Sequence, residues 1–110
     1  LMAMHHHRDF PVEDIGAASG LLRALADPGR LTILVHLFTG EHNVRELTEH
    51  VGLAQSTVSV HLASLKACGL VTSRAEGRSS MYAIARPRNT RAVLSAVEEL
   101  LRGIGDGDPT

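Results

Sequence analysis

A chain of 110 residues, 44% hydrophobic, with a formal net charge of −1, fits one small domain with a modest core. The charge excludes a globally basic nucleic-acid binder, and the aromatic residues Phe10, Phe38 and Tyr82 are too few to build stacking platforms for a single strand. The lone Cys68 excludes an intrachain disulfide and fits a reducing, cytoplasmic setting, and no apolar run or leader suggests a membrane span or secretion.

Residues 1–11 read as a flexible tail. Met4 looks like a natural start, with Leu1 to Ala3 foreign to it. His5, His6 and His7 form the densest histidine cluster, and imidazole suits Ni(II), Zn(II) or Cu(II) rather than Mg(II) or Ca(II). If the free amine belongs to Met4, it can join two amide nitrogens and the His6 imidazole in a planar four-nitrogen site for Ni(II) or Cu(II). The competing reading is a solvated tail or a tag remnant.

From Val12 to Ala26, apolar residues at Ile15, Ala18, Leu22 and Leu25 predict an amphipathic helix. Asp27 and Pro28 stop it and start a second, as N-cap and first helical residue. That helix is expected to run to about Thr39, with Leu31, Leu34, Leu37 and Phe38 inward and Gly40 as terminator. Asn43 caps a short third helix carrying Val44 and Leu47, and Val51-Gly52-Leu53 makes a tight turn. A short helix, a glycine turn and a second helix are the helix-turn-helix pattern.

Gln55 to Gly69 forms the second helix of that pair. Val58, Leu62 and Leu65 make one apolar stripe, and Gly69 suits a left-handed terminator. The opposite face carries short hydrogen-bonding side chains and one cation, which can enter a major groove. Gln55, Ser56, Thr57, Ser59, Val60, His61 and Lys66 are the candidate DNA contacts. His61 has a second reading, as a partly buried residue closing the helix pair.

Leu70 to Ile84 predicts a β-hairpin, with Glu76-Gly77 as the turn and Tyr82 and Ile84 on one face. Arg74 and Arg78 flank the turn and would hold phosphate. From Gln55 to Ser80 the cations Lys66, Arg74 and Arg78 face only Glu76, a local basic patch that a dimer would double. Pro87 is expected to break the chain. A last helix follows from Thr90 to about Gly103, with Val93, Leu94, Val97, Leu100 and Leu101 on one side, and 104–110 reads as a second flexible tail.

The fold class is therefore mainly α with a β-hairpin wing, a winged helix-turn-helix over 12–103. The stripes of the first and last helices exceed what so small a core can use. Leu22, Val93, Val97, Leu100 and Leu101 would pair across a two-fold axis in a homodimer; the alternative is that both stripes cover the one core.

Three stretches, Leu25–Leu34, Val58–Val71 and Glu76–Arg78 with Tyr82, resemble the ArsR/SmtB family of bacterial regulators over roughly residues 20–101. The resemblance implies a homodimeric winged-helix protein that binds double-stranded operator DNA, usually a repressor released by a metal ion or another inducer. It also implies metal-ligand positions, and here they are altered. Asn43 and Arg45 stand where one family site has a Cys-x-Cys pair. Arg86, Arg88, Glu99 and Arg102 stand where a second has ligands on the last helix, and Ser64 with Cys68 leaves half of a third.

Of the remaining histidines His36, His42 and His50, the last could pair weakly with Glu46 one turn before it. His61 and Cys68 lack the third orienting group and pocket that a catalytic pair needs, so no enzyme is expected. The reading is a sequence-specific DNA-binding transcriptional regulator, by default a repressor, responsive to Ni(II) or Zn(II). The alternative is a DNA-binding subunit without its own metal sensor, signalled by a co-regulatory partner protein or by Cys68 redox chemistry.

Overall fold

A computed structural model describes residues 13–106. The expectations for His5, His6 and His7, and for most of both tails, lie outside the described residues. Five helices and one hairpin follow in order: α1 (Ile15–Leu25), α2 (Pro28–Leu37), α3 (Val44–Val51), α4 (Gln55–Ala67), β1 (Val71–Glu76), β2 (Ser79–Ile84) and α5 (Pro87–Gly105).

Side-chain caps set three of the helix starts. Asp14 Oδ1 accepts from the Ala17 N–H at 2.9 Å, so α1 opens at Ile15 rather than Val12. Asp27 Oδ2 accepts from the Arg30 N–H at 3.0 Å, with Pro28 in the first turn of α2. Asn43 and Glu46 form a reciprocal capping box on α3, at 2.8 and 2.9 Å. Glu46 Oε1 is thereby used in the cap, and among the described residues His50 is exposed with no salt bridge to Glu46. Gly52 closes α3 at φ 72°, a left-handed conformation that costs a side-chain-bearing residue free energy.

The core comprises Leu25, Ile33, Leu34, Leu37, Leu47, Val58, Leu62, Leu65 and Val71. The whole apolar stripe of α4 is in it. On α2 the inward set differs from the expectation: Ile33 is fully buried, whereas Leu31 and Phe38 are only half-buried. The helix meets α1, α3, α4 and β2, and it is apolar around most of its circumference, so periodicity could not select one face.

The hairpin is antiparallel, with register from Val71↔Ile84 to Glu76↔Ser79. Its loop is Gly77-Arg78, one residue later than Glu76-Gly77, because Glu76 still pairs with Ser79. Gly77 takes φ 61°, which suits the first central position of a type II′ hairpin turn. His42 adds an isolated bridge to Tyr82, through His42 N–H to Tyr82 O at 3.0 Å and Tyr82 N–H to His42 O at 2.8 Å.

Pro87 does not break the chain but opens α5, where its missing N–H costs nothing. That helix runs to Gly105, past the expected end at Gly103. Only Thr90 of it is buried. The Arg91 guanidinium lies 4.4 Å from the centre of the Phe38 ring and ties the start of α5 to the end of α2.

Candidate nucleic-acid interface

Burial of Val58, Leu62 and Leu65 turns the other face of α4 outward. Gln55, Ser56, Thr57, Ser59 and Val60 are all exposed. Val60 is 63% exposed despite its apolar side chain, and a methyl-bearing contact of that kind matches a thymine methyl in a major groove. Unlike α1, α2 and α3, α4 has no side-chain cap: Ala54 precedes it. Its first backbone N–H groups remain available to a phosphate or another anion.

Beside that terminus lies a cleft of about 410 Å³ between α3, the start of α4 and the wing, lined by Asn43, Val44, Arg45, Gln55, Arg78, Ser79, Ser80 and Tyr82. Arg78, in the hairpin loop, and Arg45, in the first turn of α3, bring two cations to it. Neither is in a salt bridge among the described residues, whose pairs are His61–Asp27, Arg74–Glu41 and Arg74–Glu76. Sequence reasoning misses Arg45, which stands out there only as a substituted ligand position. Its place in the first helix of the helix-turn-helix was the available signal.

Arg74, expected to hold phosphate, is paired within the chain. Its Nε donates to Glu41 Oε2 at 3.1 Å, its Nη2 also meets Glu41 Oε1, and Nη2 lies 2.7 Å from Glu76 Oε2. These hydrogen bonds hold the guanidinium protonated well above its ordinary range and push the Glu41 carboxyl down. Arg74 thus fastens β1 to the segment before α3, with its charge shared between two carboxylates. Lys66 donates to Ser73 Oγ at 2.7 Å, which braces the last turn of α4 against β1.

His61 also turns away from the exposed face. Its side chain is 16% exposed, and Nε2 lies 3.5 Å from Asp27 Oδ2. Nδ1 is buried without a hydrogen-bond partner. A Cβ at Gly29 would stand 2.8 Å from His61 Nε2, so the missing side chain there lets α4 dock on the start of α2. Asp27 is held below its ordinary carboxylate range first by the Arg30 backbone N–H and then by His61. Of its two sequence readings, this geometry matches the one in which His61 closes the helix pair.

The family's metal positions do not fit a metal here. Asn43 is spent on the α3 cap, Arg45 lines the cationic cleft, and Arg86, Arg88 and Arg102 on or before α5 are cations. Cys68 is exposed at the end of α4, with Sγ donating to Leu65 O at 3.3 Å. Among the described residues no three His, Cys, Asp or Glu side chains are already grouped to hold a metal ion, and no helix is long and apolar enough to cross a membrane.

A helix-turn-helix with an exposed polar second helix and a cationic cleft under a hairpin defines a winged-helix DNA-binding protein. Residues 27–73 match the model of the bacterial regulatory proteins of the arsR family. The chain is 45% identical over 85 residues to the HTH-type transcriptional regulator CmtR of Mycobacterium tuberculosis, covering 77% of this chain and 72% of that one. It is 43% identical over 74 residues to the "Probable mercury resistance operon repressor" of Streptomyces lividans, covering 67% of this chain and 59% of that protein's length. Its fold is similar to the homodimeric winged helix-turn-helix DNA-binding domain Mb0332 of Mycobacterium bovis, with a TM-score of 0.68, 28% identity, and 82% and 91% of the two chains covered. The chain belongs to the ArsR family of transcriptional regulators; it is a DNA-binding regulator and not an enzyme.

Proposed function

We propose that this chain is a homodimeric, metal-responsive repressor whose α4 reads an operator through Gln55, Ser56, Thr57, Ser59 and Val60 while Arg45 and Arg78 hold phosphate. The observation that carries the reading is the uncapped, exposed start of α4 beside the Arg45–Arg78 cleft. Backbone N–H groups and paired cations there position the protein on the duplex, and the short side chains of α4 meet base edges.

The dimer is supported by an unpartnered apolar face on α1 and α5. Leu22, Leu100 and Leu101 are 58%, 65% and 61% exposed, and Val93 and Val97 join them. A large apolar face of this kind marks an interface, and a two-fold partner would set the reading helices roughly 34–36 Å apart, one turn of DNA. Ile15, Leu21 and Ile104 extend the same set.

Metal response is supported by the named role of the mercury resistance relative. The substituted family ligand positions favour a second reading: a DNA-binding subunit that takes its signal from a partner protein. Titration of the protein with Ni(II), Zn(II) and Co(II) separates the two. The DNA-reading role is tested on duplexes selected from a random library. Gln55→Ala and Ser59→Ala should each lower affinity for the selected duplex by ~1–3 kcal/mol, with binding to scrambled duplex unchanged. Intact affinity for the selected duplex in both variants would remove α4 as the reader.

A further inference from the structure

Three histidines far apart in sequence meet on the side of the fold where α2 ends and α3 begins and ends. The His36 and His50 rings are stacked with centroids 5.6 Å apart, and the His42 ring meets His50 edge-on at 5.5 Å. His36 is in the last turn of α2, His50 in the last turn of α3, and His42 stands just before α3. We infer that His36, His42 and His50 form a metal-sensing site for a four-coordinate divalent ion of the Zn(II) or Co(II) type, with water as fourth ligand. This rests on the metal-responsive reading and names the site for it.

Three observations support it. The first is spacing. A tetrahedral ion with nitrogen ligands at ~2.0–2.1 Å places neighbouring imidazole centroids ~5.2 Å apart, close to the separations of His50 from both partners. His36 stacks on His50 and His42 meets it edge-on, so the three rings do not converge on one point, and binding requires them to turn about their side-chain torsions. His36 and His42 are half-buried and His50 is exposed, so the turn displaces no core group.

The second is the state of His42. Its Nδ1 is 2.8 Å from the Gly40 carbonyl oxygen, so Nδ1 is the donor there and Nε2 is the nitrogen left to face an ion. A backbone carbonyl on the far nitrogen is the usual support of a metal-binding imidazole, because it fixes tautomer and orientation.

The third is connection. The residue holding that imidazole pairs its own backbone with Tyr82 at the base of the wing, and the next residue, Asn43, caps α3. Tyr82 and Asn43 also line the cationic cleft. An ion that draws His42 toward His36 and His50 therefore acts on the joint between α3 and the wing, the two elements that frame the proposed phosphate contacts.

The test uses the full chain with His5, His6 and His7 replaced by alanine, so that the four other histidines remain. Co(II) should bind at one per protomer with the intense visible absorption of a four-coordinate ion, and Zn(II) should displace it. His36→Ala, His42→Ala and His50→Ala should each weaken binding by about tenfold or more, with unchanged circular dichroism. On addition of Zn(II) to the parent, the imidazole resonances of His36, His42 and His50 should shift while those of His61 stay. Unshifted resonances of the three histidines, or alanine variants that bind Co(II) as the parent does, would overturn the site. Duplex binding is measured in parallel. Intact duplex binding without metal binding overturns this site and leaves the DNA-binding reading standing. Metal binding at these histidines that leaves duplex affinity unchanged upholds ion binding there but overturns its sensing role.

Discussion

α4 and α5 each carry an apolar stripe, and the two stripes end up in opposite circumstances. Of the 13 residues of α4, Val58, Leu62 and Leu65 are fully buried, whereas of the 19 residues of α5 only Thr90 is buried. The apolar stripe of α4 is satisfied within its own chain, between α2, α3 and β1. That of α5 is left facing outward with its leucines. An amphipathic pattern records that a face will be covered and does not say by what. In α4 the buried stripe is what turns the other face outward; in α5 the stripe itself is left outward.

The largest effect should come from the satisfied stripe. Leu62→Ala leaves a cavity in a fully buried site and should cost ~2–5 kcal/mol in denaturant unfolding. The fractional loss of structure it causes before dimer dissociation should not depend on protein concentration. A concentration-dependent cost would mean that the α4 stripe, too, is completed by a partner, and the comparison would fail.

Leu100→Asp probes the other helix. An aspartate in an apolar seam lacks a partner, so association should weaken by roughly a hundredfold, ~2.7 kcal/mol. Sedimentation should show monomer of unchanged secondary structure, and affinity for a two-half-site duplex should collapse. A stable dimer in this variant would move the interface away from α5.

Gly29→Ala sharpens the account of how α4 is held. The new methyl group would meet the His61 ring and Asp27 Oδ2 at 2.8 and 3.0 Å, and overpacking of this kind costs ~1–3 kcal/mol. Combining it with His61→Ala should recover much of the loss, since the two sites share the same space. Additive effects would mean the helices dock without this contact.

How much of the fold is legible in the sequence depends on how local the chemistry is. Asp27 with Pro28, the Asn43–Glu46 box and Gly52 act within a turn of the chain, so the amino-acid order alone places the starts of α2 and α3 and the helix-turn-helix, whereas the starts of α1 and α5 fall elsewhere than expected. The hairpin turn is displaced by one residue because a two-residue loop is chosen by the pairing of Glu76 with Ser79, which spacing alone does not fix. The free cations are hidden for a related reason. Arg74 is neutralised by Glu41, 33 residues away, and Arg45 reaches the cleft only once α3 packs beside the wing. The meeting of His36, His42 and His50 is likewise invisible in the sequence, because it follows from how α2 crosses α3.

Arg78→Ala should have a smaller effect on affinity, and one of a distinct kind. Loss of one phosphate contact should lower the slope of log affinity against log salt by ~0.9, equally for selected and scrambled duplexes. Arg74→Ala should leave that slope nearly unchanged, since its charge is already held by carboxylates. Equal slopes for Arg78→Ala and the parent would put the wing tip in solvent.

The smallest effect concerns the brace itself. The hydrogen bond from Arg74 holds the Glu41 carboxyl below its ordinary range, so folding favours the ionised form. A carboxylate of depressed pKa stabilises the fold at pH values above its unfolded value, and the contribution is lost as pH falls through the folded value. Glu41→Gln should therefore be less stable than the parent at neutral pH, and the difference should close as the solution is acidified below the ordinary carboxylate range. Because the pair is on the surface, salt should shrink the difference at neutral pH as well. Urea unfolding of parent and variant across that range, at low and high salt, reads both trends. A gap that persists unchanged into acid would assign the loss to packing of the side chain rather than to its charge, and Arg74 would then be free to answer to DNA after all.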